Sequence, residues 1–293
     1  MTRKKLKAGI IGTGNIGTDL LIKIQRSKYL ECGIFTGRNP ESDGLKRAAR
    51  MGVPTSSESI KAISENPECC EIVFDATSAG AHIEHSKILK KIKKFTIDMT
   101  PSRVGKMCIP LINMEECLKA ENINMISCGG QDTTPIVKAI ADVHPETQYV
   151  EIVAHIASKS AGMGTRDNID EYTQTTCDGI KDFTKIPRVK AIIILNPVEP
   201  PIIMHNTIFA QIRNPKLKLL KSRIVSVVNR IKEYVPGYSL TLGPIFENGR
   251  VTIMNEVKGS GDYLPKYAGN LDIINCAAIT VAEEYAKRKL KKL

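Results

Sequence analysis

The stretch Gly12-Thr13-Gly14-Asn15-Ile16-Gly17 stands between an apolar run, Leu6–Ile11, and a segment with helical spacing, Asp19–Ser27. Glycines at this spacing, leaving a strand and opening a helix, constrain the chain more than any other feature. The first permits a tight turn, the second lets the backbone approach a pyrophosphate, and the third lets the helix pack on the strand. Free N–H groups and the positive dipole end of the helix favour an anion there. The motif therefore predicts a dinucleotide held by Gly12, Thr13, Gly14, Asn15, Ile16 and Gly17. The alternative is a glycine turn kept for packing alone. An acid about 20 residues on would grip the adenosine ribose and favour NAD. Here the second strand ends Thr36-Gly37-Arg38-Asn39-Pro40, with no carboxylate at its tip. Arg38 either meets a 2′-phosphate, which favours NADP, or lies on the surface.

Organisation follows from what comes after this motif. With 293 residues and about 150 per domain, two domains are expected. The first half alternates strands (Leu30–Phe35, Glu71–Phe74, Phe95–Met99, Ile123–Ser127) with helical stretches (Gly44–Met51, Ser57–Ile63, Ile83–Lys93). That alternation implies a parallel sheet with helices on both faces. The second half runs strands in longer succession: Tyr149–Ala157, Lys190–Leu195, Ile202–Ile212, Ser239–Ile245 and Val251–Val257, with helices at Ile169–Phe183 and Leu217–Tyr234. A mixed or antiparallel sheet is expected there. The boundaries read as 1–130 for an α/β dinucleotide-binding Rossmann domain and 131–270 for an α+β catalytic and dimerisation domain. A last helix, 271–293, is expected to pack back on the first.

Charge narrows the function classes. Lys plus Arg is 42 against 31 for Asp plus Glu, a net charge of +11. The excess gathers at Arg3–Lys7, Lys87–Lys94 and Lys287–Lys292, without interleaved aromatics. With no Trp and 5% aromatic residues, stacking platforms for nucleic acid are missing. No apolar run approaches the ~20 residues of a membrane span. The basic, then apolar, start is too short and glycine-broken for a signal peptide, so a cytoplasmic protein is expected. The eight cysteines, Cys32, Cys69, Cys70, Cys108, Cys117, Cys128, Cys177 and Cys276, contain no CxxC pair. Reduced thiols follow, and most read as small buried hydrophobes. His82-x-x-His85 reads as an exposed helix start rather than a metal site; no metal is expected.

One thiol stands apart. Ser127-Cys128-Gly129-Gly130-Gln131-Asp132-Thr133-Thr134-Pro135 follows a strand and precedes the apolar stretch Ile136–Val143. Thr133 or Thr134 is read as the cap of that helix, with Pro135 in its first turn. Cys128 then lies just outside a helix amino end, where a lowered pKa is expected. Gly129 and Gly130 would clear space for a substrate. The alternative is a buried structural cysteine.

These residues carry a resemblance. The chain resembles the acylating, CoA-dependent acetaldehyde dehydrogenases of meta-cleavage pathways. The matching stretches are Ile11–Leu20, Ser42–Leu45, Phe74–Ala81, Ser127–Gln131, Ala157–Gly162, Gly164–Asp170, Asn196–Pro201 and Tyr267–Asp272, in order along nearly the whole chain. The resemblance implies a second domain of the glyceraldehyde-phosphate and semialdehyde dehydrogenase type. It implies that Cys128 attacks a short aldehyde, acetaldehyde or propanal. Hydride then passes to NAD or NADP, and CoA takes the acyl group from a Cys128 thioester. Ser160, Ala161, Gly162, Met163, Gly164, Thr165, Arg166, Asp167, Asn168 and Asn270 match positions that contact the nicotinamide end. Asn168 would also steady the oxyanion, or cap the helix at Ile169. The resemblance further implies a homodimer and pairing with a 4-hydroxy-2-oxovalerate aldolase.

The chain departs from that family at three points. Asn206 occupies the position of an acid that would take the thiol proton, with His205 beside it but on the opposite strand face. Arg38 lies where many relatives carry an acid. The segment between Tyr238 and Tyr263 is shorter by a loop or hairpin. Two competing readings remain: a phosphate-linked semialdehyde-type dehydrogenase, and a dinucleotide-binding protein without catalysis. The first needs a catalytic His, and none of His144, His155 and His205 sits in a recognisable pattern.

Overall fold

The computed structural model describes residues 4–162, 166 and 169–291. Its contacts divide the chain into two units, one running to Met125 and resuming at Asn275, the other Ile126–Ile274.

In the first unit, β1 (Leu6–Ile11), β2 (Leu30–Thr36), β3 (Thr55–Ser56), β4 (Ile72–Asp75), β5 (Phe95–Asp98), β6 (Lys106–Met107) and β7 (Asn122–Asn124) form a parallel sheet in the order β3-β2-β1-β4-β5-β7-β6. Strands β4 and β5 are buried at every position, as parallel strands covered on both faces must be. Helices α1 (Asn15–Arg26), α2 (Asp43–Arg50), α3 (Ile60–Glu65), α4 (Ala79–Lys91) and α5 (Pro110–Cys117) connect them. The strand order reverses between β1 and β4, and ligands of such sheets bind beyond the strand ends at that reversal. One core cluster joins Ile11, Ile34, Ile63, Cys70, Val73 and Leu89.

Elements β3, β6 and α5 were absent from the sequence pattern; the two strands are two residues each, too short for a periodic signal. The helix α9 (Gly269–Leu290) enters the first unit at Asn275. Within that unit Asn275 Nδ2 donates to Asp19 Oδ2 at 2.8 Å, Ser27 Oγ donates to Glu283 Oε1 at 2.6 Å, and Tyr285 stacks on Phe95 at 4.1 Å.

The histidine pair differs from its sequence reading. Helix α4 begins at Ala79, capped by Ser78 Oγ accepting the Ala81 N–H. His82 and His85 lie one turn apart on its buried side, not on an exposed start. Both Nδ1 atoms reach Asp75 Oδ2, at 2.9 and 2.8 Å, and His82 Nε2 lies 3.5 Å from Asp98. Burial alone would push Asp75 up, but its bonds to His82, His85 and Thr77 hold it below the usual carboxylate range. Burial alone would push His82 down, but Asp75 and Asp98 raise it. Among the described residues no cluster of His, Cys, Asp and Glu is arranged to hold a metal. No helix among them is long and apolar enough to cross a membrane.

In the second unit, β8 (Tyr149–Ala157), β9 (Arg188–Asn196), β10 (Met204–Gln211), β11 (Tyr238–Glu247) and β12 (Arg250–Val257) form a sheet in the order β11-β12-β10-β8-β9. All its pairings are antiparallel except β8 with β9. Alternate residues of β8 are buried, the mark of a sheet covered on one face. The helices of this unit are α6 (Cys128–Val143), α7 (Ile169–Thr184) and α8 (Leu217–Lys232). Register sets Asn206 of β10 directly opposite Asn255 of β12.

Candidate active site

The glycine motif is built as a cradle. Gly12 has φ +113°, and a Cβ on it would lie 2.4 Å from the Ala76 carbonyl oxygen. A Cβ on Gly17 would stand 1.9 Å from the Gly12 carbonyl oxygen, so only glycine lets the helix approach. Around Gly14 a Cβ would meet nothing within 4 Å: that glycine faces open space. Helix α1 has no side-chain cap, leaving its first-turn N–H groups to accept an anion. Asn15 is exposed and Ile16 half-buried at that start. Thr13 turns the other way, its Oγ1 accepting from Ser42 Oγ at 2.8 Å. Arg38 is exposed just beyond β2, the strand beside β1.

The thiol differs from expectation in three respects. First, Cys128 is not outside a helix that starts near Pro135. It is the first residue of α6, capped by Ser127 Oγ, which accepts the Gly130 N–H at 2.9 Å. Pro135 lies inside the helix and Thr133 and Thr134 are buried within it; the Pro and Thr pattern mimicked a start that Ser127 already supplies. Second, burial pushes the Cys128 thiol up to about 11, against the bond to Tyr172 and the Gly129 N–H, with the charge of Asp132 adding to the rise. A helix amino end lowers a thiol pKa only while desolvation does not outweigh it. Third, the glycine pair makes room for the protein itself. A Cβ on Gly129 would lie 2.4 Å from Tyr172 Oη, and one on Gly130 2.8 Å from Ile126 Cγ2.

Tyr172, on α7, escaped the sequence reading. Its buried Oη lies 3.4 Å from Cys128 Sγ and accepts the Gly129 N–H at 3.0 Å. Asp132, one helical turn beyond Cys128, escaped it too. Asn206 Nδ2 donates to Asp132 Oδ2, and Asn255 Nδ2 to Asp132 Oδ1 at 2.5 Å. All three side chains have no exposure. Burial pushes Asp132 up to about 7, against the bonds from Asn255 and Tyr238. The amide at 206 now has a physical reason. An acid there would set a second carboxylate against Asp132 in a dry site, where both cannot ionise. His205 faces away, its ring stacked on His155 at 4.6 Å. The available signal was spacing: Cys128 and Asp132 are i and i+4, one face of a helix.

A further group surrounds the end of β8. Ser160 Oγ donates to the Ala157 carbonyl at 2.8 Å, and Asn270 Nδ2 to the Ser160 carbonyl at 3.3 Å. The Asn270 Oδ1 is buried with no partner. Ala161 is buried, Gly162 is exposed, and Arg166 ties the segment with bonds to the Ser158 and Ala161 carbonyls at 2.7 and 3.0 Å. Met163, Gly164, Thr165, Asp167 and Asn168 lie outside the described residues.

Among the other cysteines, one is no inert hydrophobe. Cys69 is half-buried with its sulfur 3.7 Å from that of Cys70. That contact, helped by Lys94 and Lys7, draws Cys69 down to about 7.

Comparison with known proteins shows the family of the chain. Residues 128–265 match the family described as prokaryotic acetaldehyde dehydrogenase, dimerisation. An acetaldehyde dehydrogenase of Pectobacterium atrosepticum is 55% identical over 96% of this chain and 95% of its own. Those of Spirochaeta aurantia and Geobacillus stearothermophilus are 50% and 51% identical, each over 98% of this chain and 97% and 98% of their own. The fold is shared with aspartate semialdehyde dehydrogenase II of Vibrio cholerae (TM-score 0.65, 13% identity, covering 97% and 99% of the two chains). It is shared as well with aspartate semialdehyde dehydrogenase from Candida albicans (0.67, 12%, covering 96% and 100%). With half its residues identical to several of these enzymes along almost its entire length, the chain belongs to the acetaldehyde dehydrogenase family and is an oxidoreductase.

Proposed function

We propose that this protein oxidises a short aldehyde, acetaldehyde or propanal, to the acyl-CoA, with Cys128 as nucleophile. The observation that carries the reading is half-buried Cys128 at the first residue of a capped helix, its thiol hydrogen-bonded to the Tyr172 hydroxyl. A nicotinamide dinucleotide fits the chain's own residues. Gly12, Gly14 and Gly17 shape the turn, and Asn15 and Ile16 offer first-turn N–H groups to the pyrophosphate. The orphan Asn270 Oδ1 suits a carboxamide N–H. The cofactor is NAD, and Arg38, exposed beyond β2, leaves room for the 2′-phosphate of NADP. When bound, the cofactor supplies the hydride acceptor.

Cys128 Sγ forms the bond to the aldehyde carbon, and the carbonyl oxygen becomes an oxyanion. Asn168 donates to that oxygen, a role whose loss typically lowers kcat by 10²–10³. Once the carbon has lost hydride, the oxyanion collapses to a thioester on Cys128. The CoA thiolate then attacks the acyl carbon, and Cys128 leaves as thiolate. Cys128 carries the acyl group from the attack on the aldehyde until CoA takes it. The segment 128–265 and the exposed Ile194, Val198, Ile245 and Phe246 of the second unit fit a homodimer formed through this unit.

The test mixes protein, acetaldehyde, CoA and either NAD or NADP, and follows absorbance of the reduced cofactor. Reduction that requires CoA, and is lost in Cys128→Ala, is expected. Reduction indifferent to CoA, or replaced by a requirement for phosphate, overturns the reading.

A further inference from the structure

We propose that the Tyr172 hydroxyl is the hydrogen-bond donor that holds the Cys128 sulfur as a thiolate. The inference rests on Cys128 being the nucleophile, as argued above. Oη lies 3.4 Å from Sγ and also accepts the Gly129 N–H at 3.0 Å. The backbone donor occupies one side of the oxygen, fixes its position and polarises its O–H bond. In the resting protein the thiol S–H donates to Oη. After the thiol proton leaves, the direction reverses and Oη–H donates to S⁻.

The surroundings are built to keep that hydroxyl in place. Thr176 Oγ1 donates to the Tyr172 carbonyl at 2.8 Å and lies 2.7 Å from Ser127 Oγ, the cap of α6. The helix that carries the donor and the helix that carries the nucleophile are thus tied through one hydroxyl pair. Any side chain at position 129 would displace Oη, since its Cβ would come within 2.4 Å. The chemistry also favours a neutral donor. Asp132 already opposes ionisation of the thiol, and among the described residues it is the charged group facing the sulfur. From the strands packed against α6 come the amides Asn206 and Asn255, which bond to Asp132. A second anion would raise the thiol further, whereas a hydroxyl lowers it without adding charge. Burial holds the tyrosine far above its ordinary pKa, so Tyr172 keeps its proton and acts as donor rather than base.

A purely structural Tyr172 would cap the Gly129 N–H and leave the thiol's acidity untouched. The experiment separates the two roles by iodoacetamide alkylation across a pH series, read by mass spectrometry on the peptide carrying Cys128. In Tyr172→Phe the midpoint should rise by about one pH unit, about a tenfold slower reaction at any pH below it. An unchanged midpoint in a variant that melts cooperatively overturns the proposal. If Tyr172→Phe does not fold, the decision falls to wild-type sequence carrying 3-fluorotyrosine at all 8 tyrosines. The more acidic phenol is a stronger donor and should lower the midpoint, the opposite sign; no change there overturns the proposal as well. Neither measurement uses aldehyde or CoA. A shift with no CoA-dependent activity would remove the proposed reaction and leave the donor role standing, and the converse would remove the donor alone.

Discussion

Two completely buried carboxylates, Asp75 at the end of β4 in the first unit and Asp132 in α6 in the second, have pKa values that move in opposite directions. Burial raises both. Around Asp75 stand two imidazoles and the Thr77 hydroxyl, and their hydrogen bonds more than offset the cost of burial. Around the Asp132 carboxylate stand two amides, which donate but carry no charge, and the acid stays near 7. Hydrogen bonds from two imidazoles and a hydroxyl outweigh burial at Asp75, whereas the bonds at Asp132 do not. The first arrangement is a hydrogen-bonded aspartate–histidine cluster beneath the loop that faces Gly12. The second is a titrating group one turn from Cys128.

The sharpest way to break this comparison is Asp75→Asn. It removes the carboxylate that both His82 and His85 reach, and breaking one side of a buried pair costs roughly 3–5 kcal/mol. Urea unfolding at neutral pH reads it. The sign with pH follows from the direction in which each group is moved. Asp75 is lowered, so its stabilisation is present above the unfolded carboxylate value and fades as pH falls through its folded value. His82 is raised, so its share is present below the unfolded histidine value and is lost as pH rises through its folded value. A loss well under 1 kcal/mol for Asp75→Asn would mean that Asp75 forms no stabilising pair and the contrast is false.

Asp132 predicts the reverse slope. With its pKa raised to about 7, its contribution is fully present below the unfolded value near 4 and declines as pH climbs through 7. A gap of about three pH units between the unfolded and folded values is worth about 4 kcal/mol at most. Asp132→Asn should flatten stability between about pH 4 and 8; a variant that keeps the wild-type slope would place its origin elsewhere.

Next in size is Asn206→Asp. It sets two carboxylates in contact where neither has a cation, and a loss of about 3 kcal/mol is expected. Asp132→Asn in the same chain should recover most of it, because the pair again holds one acid and one amide. Simple addition of the two single losses in a double-mutant cycle would show that the contact carries no coupling.

These contacts also mark where the sequence ceased to be readable. The strand and helix pattern was legible because periodicity is local: β8 was bounded to the residue as Tyr149–Ala157, and the glycine turn before α1 announced itself by spacing. The motif at Cys128 was legible as a place and misread as an environment. Its surroundings come from Tyr172, 44 residues on, and from Asn206 and Asn255, 74 and 123 residues beyond Asp132. No window along the chain contains them. The same holds for the histidine pair, whose short spacing was visible while its burial against Asp75 and Asp98 depended on the sheet.

The smallest predicted effect concerns the order in which the thiols react. Sequence alone favours Cys128 as the thiol labelled first at neutral pH. The structure favours Cys69, drawn down to about 7, while Cys128 stands at about 11. In protein without substrate, iodoacetamide at neutral pH should therefore modify the Cys69 peptide before the Cys128 peptide. Asp132→Asn removes the anion facing Cys128 and should speed its alkylation severalfold, equivalent to a fall of under one pH unit in its midpoint, while leaving Cys69 unchanged. The comparison between the two buried acids is sharpened by that asymmetry. If Cys128 in Asp132→Asn reacts no faster, Asp132 is already neutral in the resting protein, and its amide neighbours hold a carboxylic acid rather than a carboxylate.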